Sequence, residues 1–135
     1  VEHQNQRRAD AERRAELARA AAQGEAQAAQ LQLDGFVATM AAEGIAPEPL
    51  QATLLNGSRV KTPLQGWYLN MAQSVAVAAD GTYYQLVMPG SVLARFVGVH
   101  PTPALPTLEI GRGGRDGESG ALADFLQRAL ERYRG

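Results

Sequence analysis

From about Ala9 to Glu43 the chain contains no proline and is dominated by Ala, Glu, Gln, Arg and Leu, the best helix formers. A run of that length and composition reads as one long helix, and the rest of the chain must be arranged around it. Asp10 precedes Arg14 by four residues, a spacing that favours an ion pair along the helix. Gly24 and Gly35 are the two places where it can kink, each costing about 1 kcal/mol relative to alanine. The stop is plain. Gly44 occupies the left-handed position after the last turn, Ile45 can supply the accompanying apolar contact, and Pro47 forbids continuation. The first eight residues are polar and are expected to fray.

Two stripes run along this helix. Leu33, Phe36, Val37, Met40 and Ala41 follow i, i+3, i+4, i+7, i+8 and make a face wide enough to pack on a core. Leu17, Ala21, Gly24, Ala28, Leu31, Gly35 and Ala38 are spaced 4-3-4-3-4-3, the heptad spacing of paired helices, with small residues that permit close approach. An Ala-rich helix also matches many registers by chance.

Beyond Pro49 the pattern changes to strands. Asn56-Gly57 is a short hairpin signal with poorly alternating flanks, which leaves a loop and a hairpin equally open. "GWYLN" (66–70) and "SVAVAAD" (74–80) are strand-like. Asp80-Gly81 lies between Val75, Val77, Ala79 and Tyr84, Leu86, Met88, and is the strongest hairpin of the chain. Positive φ is expected at Gly81, and at Asp80 too if the turn is type I′. Adjacent Tyr83 and Tyr84 must point to opposite faces, so one of them is expected on the less covered face. "SVLARFVGV" (91–99) reads as a further strand, with a helical turn as its rival; "HPTPALP" is extended, and "TLEI" (107–110) a short edge strand.

Leu122, Phe125, Leu126, Ala129, Leu130 and Tyr133 form the continuous apolar face of a C-terminal helix, with Ser119 as the expected N-cap and Arg128, Arg132 and Arg134 suiting its C-terminal dipole. Before it lies "IGRGGRDGESG" (110–120), whose position after a strand and before a helix is where backbone amides bind phosphate. The motif tests fail. The chain's one lysine is Lys61, so no Gly-Lys-Ser/Thr ends the stretch, and Asp116 stands where a dinucleotide fingerprint needs its last glycine. The stretch is expected to be mainly architectural, ending in a Ser119 or Asp116 cap, with its arginines paired to its carboxylates. The competing reading is a small anionic-ligand-binding protein or an enzyme centred on the turn 111–120, with Arg112, Gly113, Gly114, Arg115 and Ser119 binding the ligand or partner.

Composition narrows the function classes. Net charge is −1, which gives no footprint for nucleic acid or an anionic membrane. The chain has no cysteine, and His3 and His100 are its two histidines, so no metal or cofactor is expected. No serine sits in a nucleophile motif, and no catalytic set is expected. No apolar run reaches the length of a membrane span, and the N-terminal arginines lack the apolar core of a signal peptide, so a cytoplasmic location is expected.

The order "GWYLN", "ADGTYYQLVMPG" and "LEIGRGGRDGESGALADFLQRAL" resembles short uncharacterised α+β proteins of high-GC Gram-positive (actinobacterial) bacteria, over about residues 30–133. The resemblance implies an architecture and no activity. The expected fold is α+β: a long N-terminal helix, an antiparallel meander of about three to five strands, and a C-terminal amphipathic helix on one sheet face. Residues 1–30 read as a helical extension able to project, and residues 31–135 as one domain. The expected function is a non-enzymatic interaction or assembly protein. Its self-association stripe is Leu17, Ala21, Gly24, Ala28 and Leu31, and its partner is a second copy or another protein.

Overall fold

The computed structural model describes residues 1–90, 97–111 and 118–135. Helix α1 (Glu2–Ala42) is unbroken through both glycines and includes the segment expected to fray. Asp10 accepts from Arg13 at 2.6 Å rather than from Arg14, whose Nε turns to the Asp10 carbonyl. The helix ends as its sequence dictates. Gly44 has φ +69°, its N–H donates to the Ala41 carbonyl, and Ile45 N–H donates to the Met40 carbonyl. These are the two bonds of the Schellman motif, and Ile45 packs on the core that contains Met40.

Strands β1 (Glu48–Leu54), β2 (Arg59–Tyr68), β3 (Val75–Ala78), β4 (Tyr83–Gln85) and β5 (Val87–Met88) form a sheet of order β4-β3-β2-β1-β5. All neighbours are antiparallel except β1 and β5. Two of its hairpins share one device. Gly57 (φ +89°) and Gly81 (φ +91°) each follow an Asn or Asp whose side-chain oxygen accepts from the amide two residues on, Ser58 and Thr82 respectively. Gly57 N–H donates to the Leu54 carbonyl and Gly81 N–H to the Ala78 carbonyl. This is a tight turn followed by a left-handed glycine, and Asp80 keeps a negative φ, so the turn is not type I′. The Asn56-Gly57 stretch is thus a hairpin.

Leu86 lies between β4 on one sheet edge and β5 on the other. Its N–H donates to the Ser74 carbonyl, and its carbonyl accepts from Thr53 N–H of β1. One residue therefore bridges both edges, and the sheet coils until it closes on itself. Its outer face carries Trp67, Leu69, Val75, Val77 and Tyr83 beneath the helices. Its other face gathers Leu50, Tyr68, Ala76, Ala78, Tyr84 and Leu86. The expectation of one tyrosine on a less covered face is corrected accordingly: Tyr83 and Tyr84 do point to opposite faces, but both are buried. Burial pushes the Tyr83 phenol up to about 12. The proposed strand at 91–99 lies outside the described residues up to 96. Val97–Val99 are not strand, although Val99 N–H donates to the Lys61 carbonyl beside β2.

A second, two-stranded sheet pairs β6 (Glu109–Ile110) with β7 (Gly120–Ala121), which leads directly into α2 (Leu122–Arg134). The expected Ser119 cap is not formed: the N-cap is Ala121, without a side-chain cap bond. The reason is the strand pairing, which carries the Leu122 N–H onto the Leu108 carbonyl and so satisfies a first-turn amide with backbone. Leu122, Phe125, Leu126 and Ala129 are buried with Ala29, Leu33, Phe36 and Met40 of α1 against the sheet. At the far end Arg134 forks onto Glu43 at 2.6 and 2.7 Å and holds that exposed carboxyl below its ordinary range.

Gly81 is also where α1 grips the sheet: Gln30 Nε2 donates to its carbonyl at 2.7 Å. A Cβ there would lie 2.7 Å from Asp34 Oδ1, in a backbone conformation that β-branched residues resist. Gly81→Val is expected to cost on the order of 1–3 kcal/mol. Thermal melting followed by circular dichroism checks this, and an unchanged Tm would show that the turn tolerates a side chain.

Candidate functional site

Among the described residues, two surfaces stand as candidate sites. The first is the free part of α1. Residues 1–24 are exposed apart from Asp10, which is partly covered, and side-chain burial begins at Ala26. Leu17, Ala21, Gly24, Ala28 and Leu31 share one exposed stripe, with Leu17 69% and Leu31 75% accessible. The buried face runs beside it through Ala26, Ala29, Leu33, Phe36 and Met40. The helix therefore keeps its core contacts and its heptad stripe on different faces.

The glycine-rich turn connects β6 to β7. Arg112, Gly113, Gly114, Arg115 and Asp116 lie outside the described residues, and Ser119 is exposed. Glu118 shows what the end of this turn does. Its two carboxylate oxygens accept from the backbone amides of Met71 and Ala72, at 3.0 and 2.7 Å. The turn is thereby tied to the loop between β2 and β3.

That loop walls the second surface, a pair of adjoining clefts of about 640 and 250 Å³ that share Glu48, Tyr68 and Gln73. The larger lies over an irregularity in the β1–β2 ladder. Pro49 pairs with Gln65 but Gln51 pairs with Lys61, so β2 carries two extra residues, at Pro63, which has no N–H for a ladder. The freed groups are met by side chains. Tyr68 Oη accepts from Gln51 N–H at 2.8 Å, and Thr62 Oγ1 donates to the Leu50 carbonyl at 2.7 Å.

Gln73, on the rim, has φ +58°, and among the described non-glycine residues it alone has positive φ. The conformation is held by the buried Asn70, whose side-chain oxygen accepts from Ser74 and Val75 while its carbonyl accepts from Gln73 N–H. Arg59 reaches across to neutral oxygens of Gln51, Thr53 and Tyr68 at 3.3–3.4 Å. Arg132 donates to the Tyr68 carbonyl at 3.4 Å. Neither arginine, nor Lys61, forms an ion pair with a described residue. Glu48 is bound instead by Tyr133, whose hydroxyl donates to Oε2 at 2.5 Å while accepting from Tyr68 N–H. Burial, and then this bond to a carboxylate, hold the Tyr133 phenol well above its ordinary range, so it remains a donor.

These clefts were not foreseen from sequence. Glu48, Arg59, Gln73 and Tyr133 lie far apart in the chain and meet only when β1, the 70–74 loop and α2 converge. The one local signal was Pro63 inside a strand. Among the described residues no group of three or more His, Asp or Glu could hold a metal ion, and no helix is long and apolar enough to cross a membrane. No family model, no curated protein and no solved structure matches the chain.

Proposed function

We propose that this is an interaction protein that self-associates through α1, with the Leu17–Leu31 stripe of one copy set against that of a second. What carries the reading is a helix of 41 residues whose first 24 are exposed, apart from the partly covered Asp10. Helices without tertiary packing are marginal in water, and a second helix is the simplest source of that packing. The heptad stripe supports the choice. Leu17 and Leu31 stand two heptads apart, with Ala21, Gly24 and Ala28 between them to let backbones approach. Charge supports a like partner, because residues 2–25 hold five acidic and five basic side chains and so do not repel their own copy.

Sedimentation equilibrium of the full chain is expected to show a dimer at tens of micromolar. Leu17→Glu with Leu31→Glu should return a folded monomer. Burial contributes roughly 1.5–3 kcal/mol per leucine, and a dimer has four, so association should weaken by about 100-fold or more. A parent protein that stays monomeric throughout that range would overturn the proposal.

A further inference from the structure

We infer that the clefts beside Tyr68 bind a small phosphorylated sugar, with Arg59 and Lys61 taking the phosphate and Glu48 accepting from a sugar hydroxyl. This is independent of the self-association reading. Two departures from ordinary structure converge there, a two-residue irregularity at Pro63 and a left-handed glutamine at position 73, beside the exposed Arg59 and Lys61, which form no ion pair with a described residue. The left-handed Gln73 costs stability, and such a cost persists where a site uses it.

The donor set favours an anion. Arg59 and Lys61 are two residues apart on β2, so their side chains leave the strand on the same side. Arg59 spends no bond on a carboxylate: Nε and one N–H of each terminal nitrogen go to the uncharged oxygens of Gln51, Thr53 and Tyr68, and the second N–H of Nη1 and of Nη2 remains for a phosphate. The single carboxylate, Glu48, stands where the two clefts meet, and Tyr133 occupies only one of its oxygens. Its second oxygen is a ready acceptor for a hydroxyl. The volume, about 640 Å³ in the larger cleft, exceeds what inorganic phosphate fills. Tyr68 is only 5% exposed and Arg59 already lies over its ring, so it offers no open face for a nucleobase to stack on, and the organic body is a sugar rather than a nucleoside.

Titration calorimetry of the full chain tests the assignment with ribose 5-phosphate, ethyl phosphate, inorganic phosphate, ribose and adenosine 5′-monophosphate. Ribose 5-phosphate is expected to bind with Kd at or below about 1 mM, ribose not at all, and the two smaller phosphates about 10-fold more weakly. Arg59→Ala and Lys61→Ala should each weaken ribose 5-phosphate by about 10-fold or more, at unaltered circular dichroism. Amide shifts in the parent protein should centre on Gln51, Thr62 and Gln73. No saturation by about 5 mM ribose 5-phosphate, shifts confined to another surface, or parent-like binding by Arg59→Ala overturns the site. Equal affinity for ethyl phosphate overturns the role of Glu48, and tighter binding of the nucleotide overturns the choice of a sugar.

Discussion

Trp67→Ala is expected to remove about 3–5 kcal/mol of stability, which is a large share of the roughly 5–15 kcal/mol that holds an ordinary domain together. Trp67 is 3% exposed and sits where three layers meet. It belongs to β2, packs edge-on to Phe36 of α1 with ring centres 6.0 Å apart, and lies in the same cluster as Phe125 of α2. Its indole N–H donates to the Ala46 carbonyl at 3.2 Å and so anchors the chain just after α1. Truncation therefore opens a cavity beneath both helices and removes the donor to that carbonyl. Trp67→Phe separates the two contributions. It keeps a ring against Phe36 and loses the hydrogen bond, and should cost about 1–2 kcal/mol. Urea unfolding must be followed by circular dichroism, because Trp67 is the chain's one tryptophan. A Trp67→Ala protein within about 1 kcal/mol of the parent would mean that this junction does not organise the core.

Periodicity made the helices and hairpins legible, because each is set by short-range chemistry. Gly44, Ile45 and Pro47 end α1 as read, and Leu122, Phe125, Leu126 and Ala129 face the core as their spacing requires. What could not be read is closure. The alternation of Val75 and Val77 before the turn and of Tyr84 and Leu86 after it was visible, yet these pairs serve different faces. The helices cover one face, and the other is buried as the sheet curls until Leu86 bonds across both edges, a consequence of accumulated twist rather than of any local pattern. The Ser119 cap failed for a related reason. Its side chain competed with a backbone carbonyl delivered by strand pairing, and the pairing was not predictable from a two-residue strand.

The candidate surfaces divide in the same way. The stripe from Leu17 to Leu31 was legible, since it lies on one helix and depends on spacing alone. The cleft was not, since Glu48, Arg59, Gln73 and Tyr133 come from four segments. Of the glycine-rich stretch conspicuous in sequence, Glu118 is the residue tied to the cleft's wall. Glu118 holds the Met71 and Ala72 amides, and these precede the residue that forms the rim.

One further substitution should have opposite signs at two glycines. Gly66→Ala is expected to cost about 3 kcal/mol or more, whereas Gly35→Ala should stabilise by up to about 1 kcal/mol. Gly66 lies in β2 between Glu48 of β1 and Ala78 of β3. A methyl group there would stand 2.1 Å from the Val77 carbonyl oxygen and 2.7 Å from Ala78 Cα. Both are backbone atoms of a paired strand and cannot yield by rotating a side chain. β3 would have to retreat, stretching its bonds to β2 and pulling Val75 and Val77 out of the core beneath the helices. Gly35 is the counter-case. It is helical, exposed, and has nothing within 4 Å of the new carbon, so alanine there only narrows the unfolded ensemble. Paired thermal melts decide the matter: a fall on the order of 10 °C or more for Gly66→Ala beside a small rise for Gly35→Ala. If Gly66→Ala melts with the parent, the close approach of β2 and β3 at this point is wrong, and with it the sheet closure that depends on their spacing.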